Sequence, residues 1–105
     1  MEISEERRTE IGNLVSRFLL EMPNFQGAME QTSSYQALHD LGGMEVIQII
    51  LERIQGETDE NMSVLLFPLL SRLTNTDPVP RWHRGTPGKT RESWLTWGKE
   101  RLLIK

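Results

Sequence analysis

The stretch Met44–Gln55, MEVIQIILERIQ, decides how the rest of this chain is read. Ile47, Ile50, Leu51 and Ile54 recur at the spacing of one face of an α-helix, and Val46 with Ile49 widens that face. A helix apolar over so broad an arc needs cover from several sides, so its neighbours are expected to pack around it. Gly42-Gly43 before it supplies a permissive break, and Gly56 after it stands where a helix-ending glycine belongs. A helix over 44–55 follows.

Downstream, Met62, Leu65, Leu66, Leu69, Leu70 and Leu73 form a second stripe, widened by Val64 and Phe67, which predicts a helix over 60–74. Pro68 lies inside it and removes one backbone hydrogen bond, so either a kink or a late start near Ser63 is expected. Upstream, Ala37, Leu38 and Leu41 repeat at helical spacing behind Ser33 or Ser34 as a cap, giving a short helix over 34–41. Further upstream, Ile11, Leu14, Val15, Phe18, Leu19 and Met22 make an amphipathic helix over 4–22, capped by Ser4 and ended by Pro23. Glu5 and Glu6 suit the positive end of its dipole. Residues 24–32 read mostly as loop, with Gly27 weakening the turn that Phe25, Ala28 and Met29 would favour.

After Thr74 the texture changes to a long connection over 75–89 that carries Pro78, Pro80 and Pro87. Pro87-Gly88 has the residue order of a type II turn, and Thr90 is a suitable cap for a last helix over 90–98 holding Trp94, Leu95 and Trp97. Gly98 argues against that helix running on, since a mid-helix glycine costs about 1 kcal/mol relative to alanine. No useful window alternates with a period of two. The class is all-α: one domain of 105 residues, built as a bundle of four to five helices.

With 37% hydrophobic and 26% charged residues, composition is that of an ordinary globular chain, which argues against global disorder. No apolar run approaches the roughly 18 residues that cross a bilayer, and the acidic N-terminal segment lacks the pattern of a secretory signal. The absence of cysteine excludes disulfides and thiolate zinc sites and suits a cytoplasmic setting. Net charge of −3 hides a split: residues 1–80 hold five Lys or Arg against thirteen Asp or Glu (−8), and residues 81–105 hold seven against two (+5). Such asymmetry reflects either an acidic body neutralised by its own basic end or a site for an anionic partner.

Two stretches resemble a known family. Ala37–Leu51, ALHDLGGMEVIQIIL, is similar to the junction of an armadillo or HEAT-type repeat, where a short helix ends at paired glycines and a long apolar helix follows. Leu73-Thr74 with Asp77-Pro78, and later Trp94-Leu95-Thr96-Trp97, resemble the tryptophan-rich closing segments of bacterial helical-repeat proteins. The resemblance implies a protein-binding scaffold with no catalytic residues of its own. A solenoid needs about three repeats and this chain has room for about two, so a compact bundle with similar local packing is expected.

Arg81-Trp82-His83-Arg84, with Lys89 and Arg91 beyond it, is the candidate binding segment. Cations beside an aromatic face can anchor a protein interface or stack on bases and meet phosphates. They can equally be structural, with Trp82 folded onto the core and its arginines paired to carboxylates of the body. Gly88-Lys89-Thr90 ends like a phosphate-binding loop, but the glycine needed five positions earlier is His83 and no strand precedes it. His39 and His83 are the only histidines, and they lie far apart with no cysteine, which gives no metal or cofactor signature. Glu5, Glu6 and Glu10 read as a solvated carboxylate row.

The expected function is therefore non-catalytic: a small adaptor, or an immunity or antitoxin-like inhibitor, that binds another protein through the C-terminal segment. The alternative is a nucleic-acid-associated regulator using the same basic segment, which the acidic whole disfavours. The acidic body would suit a basic partner. The two apolar helices at 44–54 and 62–73 are wide enough to predict a homodimer through them.

Overall fold

The computed structural model describes residues 3–57, 64–83 and 85–105. Among the described residues five α-helices make the body of the fold: α1 Glu5–Glu21, α2 Ser33–Leu41, α3 Gly43–Gly56, α4 Leu66–Thr74 and α5 Pro87–Glu100. Short 3₁₀ turns at Met22–Asn24, Met29–Gln31 and Arg81–His83 shape the connections. The radius of gyration, 13.0 Å, is that of a single packed body of this length.

Helix α3 is the centre. Val46, Ile47, Ile49, Ile50, Leu51 and Ile54 are all buried, because α1, α4 and α5 all pack against it. Among the described residues, Ile50, Leu51 and Ile54 of α3 and Leu69 and Leu70 of α4, on the faces expected to form a homodimer, have no exposed surface. Val64, expected to widen the α4 stripe, is instead exposed.

Helix α1 begins where its sequence says it should. Ser4 Oγ accepts the Arg7 N–H at 3.3 Å, and the buried stripe is Ile11, Val15 and Phe18. Helix α2 is capped one residue earlier than the serines suggested. Fully buried Thr32 accepts the Tyr35 N–H at 3.2 Å and donates its own hydroxyl proton to the Met29 carbonyl at 2.8 Å. One side chain thereby satisfies a free helix N–H and fixes the preceding 3₁₀ turn. The Glu21 carboxylate, at the end of α1, accepts from the Ser33 N–H at 3.0 Å and so joins the two helices. Gly42 and Gly43 take φ of 62° and 77°, a conformation that favours glycine, and redirect the chain into α3.

The described helix begins at Leu66, which places Pro68 in the first turn, where its missing N–H has no intrahelical acceptor to disappoint. The expected stretch from 60 and the start near Ser63 lie outside the described residues. Asn75 closes α4 in the left-handed region with φ 53°, and the Thr76 N–H reaches back to the Ser71 carbonyl at 3.3 Å.

Helix α5 differs most from expectation. It starts at Pro87, not Thr90, because proline's fixed φ and absent N–H suit the first helical position. Pro87-Gly88 is therefore the opening of the helix in place of a type II turn. Gly56 likewise is the last residue of α3 and not a left-handed stop after it, with Glu57 as the cap. Gly98 does not end α5 early. A Cβ there would lie 2.8 Å from Leu51 Cδ1 and 3.2 Å from Ile104 Cγ1, so the glycine is what lets α5 approach α3. Trp94 is 1% exposed and meets Trp97 edge-to-face with ring centroids 5.4 Å apart. Beyond the helix, Leu102 occupies the left-handed region with φ 59°. The Leu103 N–H bonds the Gly98 carbonyl at 2.9 Å and the Leu102 N–H bonds Lys99 at 3.1 Å, a Schellman closure that returns Leu103 and Ile104 to the core.

Candidate partner-binding surface

The long connection before α5 is braced from within. Asp77 Oδ1 accepts the Val79 N–H at 3.1 Å, and buried Val79 plugs this turn into the core. The His83 N–H donates to the Pro80 carbonyl at 2.9 Å, closing the Arg81–His83 turn. The His83 carbonyl then accepts twice from the start of α5, from the Thr86 N–H at 3.1 Å and the Thr90 hydroxyl at 3.4 Å. Pro78 and Pro80, both half-buried, restrict the backbone on the approach. Thr90 therefore ties the loop to the helix instead of capping it.

On this braced turn the Trp82 side chain stands out, with 80% of its surface exposed. The imidazole of His83 meets it edge-on, ring centroids 6.1 Å apart. The alternative in which the indole folds back onto the core is not adopted. Arg81 and Lys89 are exposed, and among the described residues neither is ion-paired. Arg84 lies outside the described residues. Arg91 stands apart from this group: its Nε donates to the Ile54 carbonyl at 3.3 Å and its Nη2 to the Gln55 carbonyl at 3.0 Å, so it caps the C-terminus of α3. Of the six candidate positions, the structure brings Arg81, Trp82 and His83 together on one turn, sets Lys89 in the first turn of the adjoining helix, and commits Arg91 to the scaffold.

Among the described residues several body carboxylates pair with arginines of the body: Glu45 pairs with Arg7 at 3.0 Å, and Glu52 receives two 2.8 Å hydrogen bonds from Arg8 Nη1. Glu30 pairs with Arg72. The hydrogen bond from Arg8 to Glu52, reinforced by their opposite charges, raises the Arg8 guanidinium above its ordinary value. Arg101 is held over the Trp97 ring at 4.2 Å and donates to the Trp97 carbonyl at 3.2 Å.

One surface feature escaped the sequence reading. Helices α1 and α2 leave between them a groove of about 490 Å³, with half-buried Leu14, Ala37 and Leu41 along it and exposed Glu10, Arg17 and Asp40 at its edges. Each of those apolar residues had been assigned to a core stripe. The small side chain of Ala37 lies among the groove's lining residues. Among the described residues no group of three or more His, Asp or Glu is placed to hold a metal ion, and no helix is long and apolar enough to cross a membrane. Comparison with known proteins returns no matching family model, no matching curated protein and no matching solved structure. What the fold and surface define is a class: an all-α domain with a braced, exposed tryptophan turn.

Proposed function

We propose that this chain is a small non-catalytic protein-interaction module, acting as an adaptor or as an immunity or antitoxin-like inhibitor by occluding a surface of its partner. The observation that carries this reading is the exposed indole of Trp82 on a turn held by four internal hydrogen bonds. An aromatic anchor whose backbone is already held loses little backbone freedom on binding, and truncating such an anchor commonly costs about 2 kcal/mol or more. Arg81 and Lys89, free of internal ion pairs, supply a cationic rim that favours carboxylates on the partner, with Arg84 joining them on sequence grounds. A cytoplasmic setting accords with the lack of cysteine. HEAT or armadillo-like packing, with a bacterial source, rests on the paired glycines between α2 and α3 and on the tryptophan-rich closing helix.

A second reading, binding of nucleic acid through the same turn, is favoured by those unpaired cations beside an exposed aromatic face. Affinity capture from native extract with the intact chain and with Trp82→Ala separates the readings. A protein retained by the intact chain and lost by the variant supports the proposal. Equal retention by both overturns it, and capture of nucleic acid alone, released steeply as salt rises, establishes the second reading in its place.

A further inference from the structure

The α1–α2 groove and the Trp82 turn complement each other, and we infer that the Trp82 turn of one copy docks into the α1–α2 groove of a second copy. This rests on Trp82 being a docking anchor and adds the identity of what it meets. The groove is open to solvent, and its volume, about 490 Å³, leaves room for an indole. Its inner surface is apolar, from Leu14, Ala37 and Leu41, and Glu10 and Asp40 put carboxylates at its edge. The incoming segment carries the opposite charge: an exposed indole, exposed Arg81 next to it in sequence, and exposed Lys89 in the first turn of the helix that follows. Trp82 does not fill the groove of its own chain, since its side chain is largely in solvent.

Among the groove's described lining residues, Arg17 carries the same charge as the incoming cations. It lies seven residues after Glu10 on α1, about 10 Å along the helix axis. A turn whose arginine sits at Glu10 keeps that cation away from Arg17, and the reverse orientation brings like charges together. Charge therefore sets the direction in which the turn enters.

Turn and groove are different surfaces of one chain, so the contact is head-to-tail. Such a contact leaves a free groove at one end of every assembly and a free turn at the other, and it grows without a natural stop unless the rotation closes a ring. One indole and its rim bury less than the roughly 1,200 Å² of a stable interface, so the association is weak and salt-sensitive.

Sedimentation velocity of the purified full chain, from micromolar to millimolar protein at low and high salt, tests this. The expected result is a sedimentation coefficient that climbs with concentration past the dimer value at low salt and falls back at high salt. Trp82→Ala, which removes the anchor, and Ala37→Arg, which fills the groove, are each expected to sediment as monomer. Mixed in equal amounts, they are expected to form a dimer and nothing larger, because one retains only its groove and the other only its turn. Asp40→Lys, at an exposed position, replaces Ala37→Arg if circular dichroism shows the latter to be misfolded. A wild-type chain that stays monomeric, or association that survives both substitutions, overturns the inference. Wild-type monomer together with Trp82-dependent capture of a different protein overturns self-docking alone and leaves the proposed function standing.

Discussion

Gly98 and Leu51 meet where α5 crosses α3, and the approach is so close that a methyl group on Gly98 would lie 2.8 Å from Leu51 Cδ1. Leu51 is fully buried and cannot swing into solvent to make room. Gly98→Ala therefore sets a helix-propensity gain of about 1 kcal/mol against an overpacking cost of roughly 1–3 kcal/mol. The expected outcome of urea unfolding is a net loss of about 1 kcal/mol, growing with Gly98→Val. In a double-mutant cycle with Leu51→Ala the two losses are expected to be less than additive, because the second change vacates the space that the first one needs.

Leu102 offers the opposite case. Its left-handed φ of 59° is strained for a residue with a Cβ, and its side chain is 83% exposed, so little packing is lost by removing it. Leu102→Gly is expected to stabilise the fold by about 0.5–1 kcal/mol. Thermal unfolding should show the midpoint rising by a few degrees, about 4–8 °C for each kcal/mol in a chain of this size. An unchanged or lowered midpoint would mean that the Schellman closure gains more from leucine than its exposure suggests.

Thr32 serves two backbone groups at once, the Tyr35 N–H and the Met29 carbonyl. Thr32→Val keeps shape and removes both bonds in a fully buried position, with an expected cost of about 1–3 kcal/mol. Thr32→Ser, which retains the hydroxyl, should recover most of that loss. Amide hydrogen exchange along α2 reads the difference directly, since the cap holds its first turn.

Arg91 and Trp82 come from the same cationic-aromatic segment and should separate cleanly under substitution. Arg91→Ala removes two hydrogen bonds to the end of α3 and is expected to cost about 1 kcal/mol of stability while leaving partner capture intact. Trp82→Ala is expected to leave stability within about 0.5 kcal/mol and to weaken partner binding on the order of 30-fold. Paired unfolding and binding measurements on the two variants check both halves.

Helix stripes were legible because burial follows periodicity: Ile11, Val15 and Phe18, and Ile47, Ile50, Leu51 and Ile54, lie where their spacing puts them. Caps and stops were less legible, because neighbouring residues compete for them. Thr32 won over Ser33 and Ser34, and Pro87 began a helix that Thr90 had seemed to cap. Gly98 was misread as a weakness because its reason, the nearness of Leu51, is forty-seven positions away in sequence and close only after packing. At the candidate surface, residue types identified the segment, but whether Trp82 faced inward or outward depended on Val79 and Thr90 anchoring its turn, a tertiary matter that spacing does not encode.

With Glu45, Glu52 and Glu30 paired to arginines of the body, the exposed cations Arg81 and Lys89 are left without an ion pair among the described residues. An anionic object approaching in dilute buffer then feels a pull toward them before it feels a touch, and collisions become pre-aligned. Such alignment should appear as an encounter rate that drops with added electrolyte while the lifetime of the finished complex hardly changes.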